Sequence, residues 1–287
     1  MMTFAYFPGC KIPYFVPQYG DATQAVLGRL GIELKEIEFG CCGYPVRDRD
    51  GMASLYSAAR NLALADQARL DIMTPCKCCF GQLKKAQEFM ARDNRPAQEV
   101  RKMLAAEGLA CSPDGIQVRH LMQVLDQDVA DPGLAGAVTR PLDGLHVAVH
   151  YGCHALRPSR TTGFDDPANP TMFERLIILS GADVLDYPLR LECCGNPLWS
   201  KNQELSLTLS RRKLDSVRSS GAQLLACACS YCQIQLDQVQ AQADGLLGPP
   251  LPTVLLPQVV GLALGCSPAE LGIAQNQLRP LALEEFF

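Results

Sequence analysis

Fourteen of the 287 residues are cysteine, and ten of those fall into two matching sets. Cys10 lies in Pro-Gly-Cys-Lys and Cys153 in Tyr-Gly-Cys-His. Cys41 and Cys42 lie in Phe-Gly-Cys-Cys-Gly-Tyr-Pro, and Cys193 and Cys194 in Glu-Cys-Cys-Gly-Asn-Pro. Cys76 and Cys79 close one C-x-x-C, Cys229 and Cys232 another. Partners are offset by 143, 152, 152, 153 and 153 residues. Such regularity marks an internal duplication. Thiolates bind soft metals, which leaves zinc, copper(I) or iron–sulfur clusters. Structural zinc takes four ligands, commonly from two C-x-x-C-like knuckles. An adjacent Cys-Cys pair is a poor knuckle because neighbouring side chains point apart; it suits two metal atoms of one multinuclear cluster. Five thiols per set also exceed what one zinc or one cubane needs. The pattern favours iron–sulfur, with a zinc-stabilised scaffold as the alternative. Gly9, Gly43, Gly152 and Gly195 would let backbone N–H groups approach an anionic cluster, or would simply form turns.

The elements that must position these thiols alternate. Thr3–Phe7 and His146–His150 read as short buried strands, each running into a Gly-Cys. Ile32–Glu38 and Asp183–Tyr187 read as second strands ahead of the Cys-Cys-Gly turns, and Asp71–Thr74 and Gln223–Ala226 as third strands ending at the C-x-x-C. Helical periodicity covers Gln18–Leu30, Met52–Leu70, Gly81–Arg92, Met172–Leu179 and Gln203–Ser219. Val118–Leu125 and Val254–Gly261 each read as a strand end entering a helix. Strand–helix alternation predicts an α/β fold with a small parallel-type sheet per half, and ligands gather beyond the carboxyl ends of such strands. Two units are expected, 1–140 and 141–287, joined through a turn-rich stretch from Asp131-Pro132-Gly133 to Gly144.

Composition narrows the function. Hydrophobic residues make up 48% and charged residues 20%, ordinary values that argue against wholesale disorder. A net charge of −4 offers no basic face for nucleic acid. The N-terminus has no basic region followed by a long apolar run, and the best apolar stretch, Leu251 to Leu264, is broken by Pro252 and Pro257. Neither a secretory signal nor a transmembrane segment is expected, so the thiols should sit in a reducing cytoplasm, free for metal or catalysis. No C-x-x-C-x-x-C-x-x-x-C-P run and no Gly-x-Gly-x-x-Gly fingerprint occurs, so electrons would have to arrive from another polypeptide.

The doubled Cys…Cys-Cys-Gly…Cys-x-x-C pattern resembles the CCG (cysteine-rich) domain family, and the chain as a whole resembles the B subunits of heterodisulfide reductases. The resemblance implies two pseudo-twofold-related CCG domains, each holding a noncubane 4Fe–4S cluster, with a disulfide substrate clamped between them. Carried over by position, Cys10, Cys41, Cys42, Cys76 and Cys79 would hold one cluster, and Cys153, Cys193, Cys194, Cys229 and Cys232 the other. It also implies an oxidoreductase that splits or forms a disulfide of two small thiols, with a ferredoxin-like C subunit and a flavin-containing A subunit as partners. Protons must follow the electrons, and His154, beside Cys153, is the candidate donor because histidine titrates near neutrality; Lys11 stands in its place in the first half. Lys11 and Arg157 are the candidates for holding an anionic substrate, with Arg47, Lys77, Arg160 and Arg190 also flanking the motifs and mostly expected at the solvated surface. Cys78 or Cys227 could replace an assigned ligand; Cys111 and Cys266 read as small buried side chains. An electron-transfer subunit of another oxidoreductase complex that never touches substrate, as in sulfur, lactate, glycerol phosphate or succinate oxidation, is the competing role.

Overall fold

The computed structural model describes residues 2–92, 94–112 and 114–287. Two four-stranded, all-parallel sheets form its core. The first contains β1 (Thr3–Tyr6), β2 (Glu33–Glu36), β3 (Ile72–Thr74) and β4 (Val118–His120) in the order β2-β1-β3-β4. The second repeats that order with β5 (His146–His150), β6 (Asp183–Val184), β7 (Leu224–Cys227) and β8 (Thr253–Leu255), arranged β6-β5-β7-β8. The central strands are near-continuous apolar runs, as a sheet covered on both faces requires; all four residues of β7 are buried.

Helices cover the sheets. α1 (Pro17–Arg29) and α2 (Gly51–Ala68) flank the first, and the buried Ala58, Ala59, Ala63 and Ala65 let α2 lie close to its neighbours. α3 (Lys77–Met90) begins one turn before the expected Gly81, so the C-x-x-C wraps a helix N-terminus with Cys76 as its cap residue. α4 (Arg95–Ala106), not expected from the periodicity, is capped by Asn94, whose Oδ1 accepts from the Ala97 amide at 3.0 Å. It forms a satellite core of Val100 and Leu104 with Ala59 and Met90.

The strand-into-helix reading of both tails holds. β4 feeds α5 (Leu121–Gln123), which widens into a π-helix over Val124–Leu134, and β8 feeds a helix at Leu256–Ala263. The turn expected at Asp131-Pro132-Gly133 is instead helical, and the chain leaves helix only after Ala137. Packing overrode the turn signal, because Val124, Leu125 and Leu134 are fully buried.

In the second half, α6 (Met172–Leu179), α7 (Gln203–Ser219), α8 (Ser230–Gln233, continuing as a π-helix through Val239) and α9 (Leu256–Ala263) complete the layers. The tails are exchanged. α9 packs on α1 of the first half, while the π-helix after α5 packs on α6 of the second. Gln18 seals the first contact through a buried bond to Asn276, 3.2 Å long.

Candidate metal centre

Each Cys-Cys-Gly turn is clamped onto a helix in the same way. Gly43 adopts φ +81° and Gly195 φ +95°, left-handed conformations that favour glycine. The Gly43 carbonyl accepts from Ser54 Oγ at 2.9 Å, and Gln82 Nε2 donates to that serine at 2.9 Å. Its counterpart, Gly195, accepts from Ser206 Oγ at 2.9 Å, with Gln235 Nε2 3.2 Å behind it. Asp50 and Asn202 cap the two helices that carry these serines. Sequence inspection missed these pairs, although they obey the same 152- and 153-residue offsets as the cysteines.

The ten expected thiols converge. Cys10 and Cys41 lie 3.9 Å apart, Sγ to Sγ. Cys42 interacts with Cys79, and Cys79 with Cys76. Cys76 interacts in turn with Cys229, across the boundary between halves. Cys229 neighbours Cys232, Cys232 neighbours Cys194, and Cys193 closes on Cys153. The result is one ribbon of sulfur with the two sets meeting at Cys76 and Cys229. Gly9 and Gly152 keep it open: a Cβ on Gly9 would lie 2.6 Å from Cys79 Sγ, and one on Gly152 3.5 Å from Cys232 Sγ.

The two additional thiols diverge. Cys227 donates to Gln233 Oε1 at 3.2 Å and belongs to the β7 interior. Cys78 faces the seam, 3.8 Å from Cys229 Sγ and 3.7 Å from His154 Nδ1. Cys76, Cys78 and Cys229 form a buried trio able to share a metal ion; His150, Cys194 and Cys232 form another. Cys266 is buried and Cys111 partly so, as expected for small packing residues.

The thiols cannot all ionise unaided. Hydrogen bonds from Cys10 and Cys42 hold the Cys41 thiol down to about 2, helped by the Gly43 amide. Those from Cys153 and Cys194 do the same for Cys193, also to about 2. The donors move the opposite way, Cys10 and Cys153 well upward, because each faces a neighbouring thiolate. Full deprotonation of such a set requires bound positive charge, and the all-sulfur donor set suits iron–sulfur clusters.

His154 sits beside this ribbon. Its Nδ1 is 3.3 Å from Cys153 Sγ and its Nε2 is 3.0 Å from the Tyr44 hydroxyl. Burial, then Arg47 and Lys85, push its pKa down to about 4, so the ring is neutral at pH 7 rather than titrating near neutrality. A small cavity lined by Tyr44, Cys78, Cys153, His154, Cys229 and Tyr231 reaches the seam. It adjoins a groove of about 720 Å³ that Cys10, Lys11, Arg47, Trp199 and Lys201 help line.

The flanking cations separate. Lys11 Nζ lies 4.0 Å from the Phe15 ring centroid, and Arg47 stacks at 3.7 Å on Tyr44. Arg157 and Arg160 are exposed and line neither cavity. Arg190 is engaged by Glu174 at 2.5 Å. Lys77 departs from the expected surface position: it is buried at 1% exposure, and its ammonium donates to the Tyr151 carbonyl.

The cysteine-rich domain (CCG) family model matches residues 4–84 and 147–237. The chain is 35% identical to the "8-methylmenaquinol:fumarate reductase membrane anchor subunit" of Wolinella succinogenes, over 95% of this chain and 96% of that protein. It is 31% identical to the B subunit of the ferredoxin:CoB-CoM heterodisulfide reductase of Methanosarcina mazei, over 95% of this chain and 93% of that protein. A hypothetical protein from Helicobacter pylori shares the fold with a TM-score of 0.77 at 17% identity; the match covers 96% of this chain and 52% of that one. Among the described residues no helix is long and apolar enough to cross a membrane.

Proposed function

The chain belongs to the cysteine-rich domain (CCG) family, and on that premise we propose that it is the B-like catalytic subunit of a heterodisulfide reductase-type complex. It would reduce, or in reverse form, a disulfide of two small thiols. Cys10, Cys41, Cys42, Cys76 and Cys79 would hold one noncubane 4Fe–4S cluster, and Cys153, Cys193, Cys194, Cys229 and Cys232 a second. The observation that carries this reading is the continuity of the sulfur ribbon through the seam, where a small cavity lies against Cys153, Cys194, Cys229 and Cys232 of the second set and meets Cys78 and Tyr44 of the first half. When bound, two such clusters supply one electron each to the two-electron cleavage of an S–S bond.

The protein's own groups supply the rest. Two electrons and two protons convert a disulfide into two thiols. The Tyr44 hydroxyl and His154 Nε2, 3.0 Å apart, hold a proton relay at the cavity wall. Lys11 and Arg47 give the adjoining groove positive charge for an anionic thiol; Arg157 would attract it only from the exposed surface. The two halves, 1–140 and 141–287, would act as one cytoplasmic unit, with electrons delivered by a ferredoxin-like C subunit and a flavin-containing A subunit.

A second reading rests on the 35% identical Wolinella relative, whose name describes an anchor subunit of a fumarate reductase. On that reading the chain relays electrons within another oxidoreductase complex and never meets a disulfide. Anaerobic co-purification with partners, metal and sulfide analysis, and electron paramagnetic resonance with candidate disulfides decide between them. About eight irons per chain and a disulfide-dependent cluster signal are expected. Full iron with no response to any disulfide favours the relay. One or two zincs in place of iron overturn both.

A further inference from the structure

The duplication is not symmetric around the sulfur ribbon. His150 closes β5 at 1% exposure, and neither ring nitrogen has a hydrogen-bond partner. A buried imidazole without a partner is costly unless a ligand completes it. The Arg190 backbone approaches the ring closely enough to favour its protonated form, yet the pair does not meet hydrogen-bond geometry. What does stand near is sulfur: a ring nitrogen and the Sγ atoms of Cys194 and Cys232 all lie within 4.8 Å of one another. The matching position in the first half, 143 residues earlier, is the fully buried Phe7, which has no donor.

Buried charge leans the same way. Lys213, at 1% exposure, donates to the Leu189 carbonyl, and its ammonium acts on Cys194 and Cys232, then on Glu192 and Cys193. Its counterpart in the first half is the neutral Asn61, which holds the Gly40 and Cys41 carbonyls. Lys77 belongs to the first half by sequence, yet the thiols its ammonium acts on are Cys232, Cys229 and Cys227. Lys11, the cation beside the first set, faces the open groove, where solvent screens it.

We infer that the two iron–sulfur centres are inequivalent: His150 donates a ring N–H to a sulfur of the second centre, which with the buried Lys213 and Lys77 becomes the preferred site for the first electron. Hydrogen bonds to cluster sulfur and nearby positive charge both stabilise the reduced form. This rests on the proposed loading of both sets with iron–sulfur clusters.

The test is a redox titration of the full-length, iron-loaded protein followed by electron paramagnetic resonance. A Cys10→Ser variant identifies the signal of the first centre. Two separate midpoints are expected in the wild type. His150→Phe, which installs the side chain the first half already has, should lower electron occupancy of the second centre relative to the first about tenfold, equivalent to about 59 mV for one electron. Lys213→Met should act in the same direction. His150→Gln, which keeps an N–H donor, should recover much of the difference. Pulsed resonance on protein carrying ¹⁵N-histidine should show a histidine nitrogen coupled to the second centre that His154→Ala does not remove. Equal midpoints in the wild type, no such coupling, or an unchanged ratio in fully loaded His150→Phe overturns the inference. If His150→Phe fails to load, the wild-type midpoints and coupling decide. Wild-type protein without iron instead refutes the function on which the inference rests.

Discussion

Gly43→Ala puts the clamped Cys-Cys-Gly turn to a quantitative test. The new methyl would meet two obstacles. At φ +81° an L-residue carries a left-handed strain of about 1–2 kcal/mol. The added Cβ would also lie 2.3 Å from the Ser54 carbonyl oxygen and 2.9 Å from its Cα. Those are backbone atoms of α2, so relief requires the helix and the turn to separate, at about 1–3 kcal/mol. The sum is about 2–5 kcal/mol. At roughly 2 °C per kcal/mol for a chain of this size, the melting temperature should fall by about 4–10 °C. Moving the turn also displaces Cys41 and Cys42, so iron per chain should fall. Gly28→Ala is the matched control: nothing lies within 4 Å of its added Cβ, and it sits in α1 without positive φ. That change should be neutral or stabilise by up to ~1 kcal/mol. Anaerobic melts and iron analysis of both variants decide. If Gly43→Ala melts with Gly28→Ala and keeps full iron, the clamp argument fails.

Four further outcomes are expected. Cys76→Ser should lose about half the iron, whereas Cys227→Ser, whose thiol is engaged by Gln233, should keep it all; metal analysis separates the two. Tyr44→Phe removes the hydroxyl 3.0 Å from His154 and should slow disulfide turnover by roughly 10²-fold at unchanged iron content. Gly81→Ala would set a Cβ 2.5 Å from the His154 carbonyl oxygen across the seam, so a loss of about 1–3 kcal/mol should appear in thermal melts. Asp237 is buried and its pKa is raised to about 6 from 3.8, chiefly by desolvation, despite accepting from the Gln277 and Leu278 amides. A raised folded pKa contributes stability that is full below pH 3.8 and lost as pH rises through 6. Wild-type protein should therefore lose up to about 3 kcal/mol across that window, of which about 1–1.5 kcal/mol falls between pH 5 and 7.5, a component absent from Asp237→Asn; parallel melts of the two proteins over pH 5 to 7.5 check that last part.

Much of this architecture can be read from the chain because the cysteines punctuate it. Each thiol group follows a strand, so locating the thiols locates β1–β3 and β5–β7. The helix at Arg95–Ala106 had legible signals, an Asn cap, an early proline and apolar residues at 97, 100 and 104, but no second copy in the repeat to reinforce them. Other features are tertiary by nature. Lys77 reads as a surface cation, yet its place in the first turn of α3 directs it into the seam. His150 reads as the buried end of a strand, and only the folded loops bring Cys194 and Cys232 beside it. Arg157 follows a motif cysteine in sequence but remains at the surface. The exchange of tail helices is equally hidden, since the repeat assigns each tail to its own half while packing also lays it on the other.

That exchange bears on how the molecule could have arisen. With α9 lying on α1, and the helix after β4 lying on α6, each half finishes the other, as subunits do in a domain-swapped pair. An ancestral protomer carrying one such half would have been complete only beside its twin, and the twin would have presented identical side chains to both metal sites. Covalent fusion removes that constraint. Once both copies occupy a single gene, a histidine can replace a phenylalanine on one side alone, an asymmetry that a homodimer could not encode.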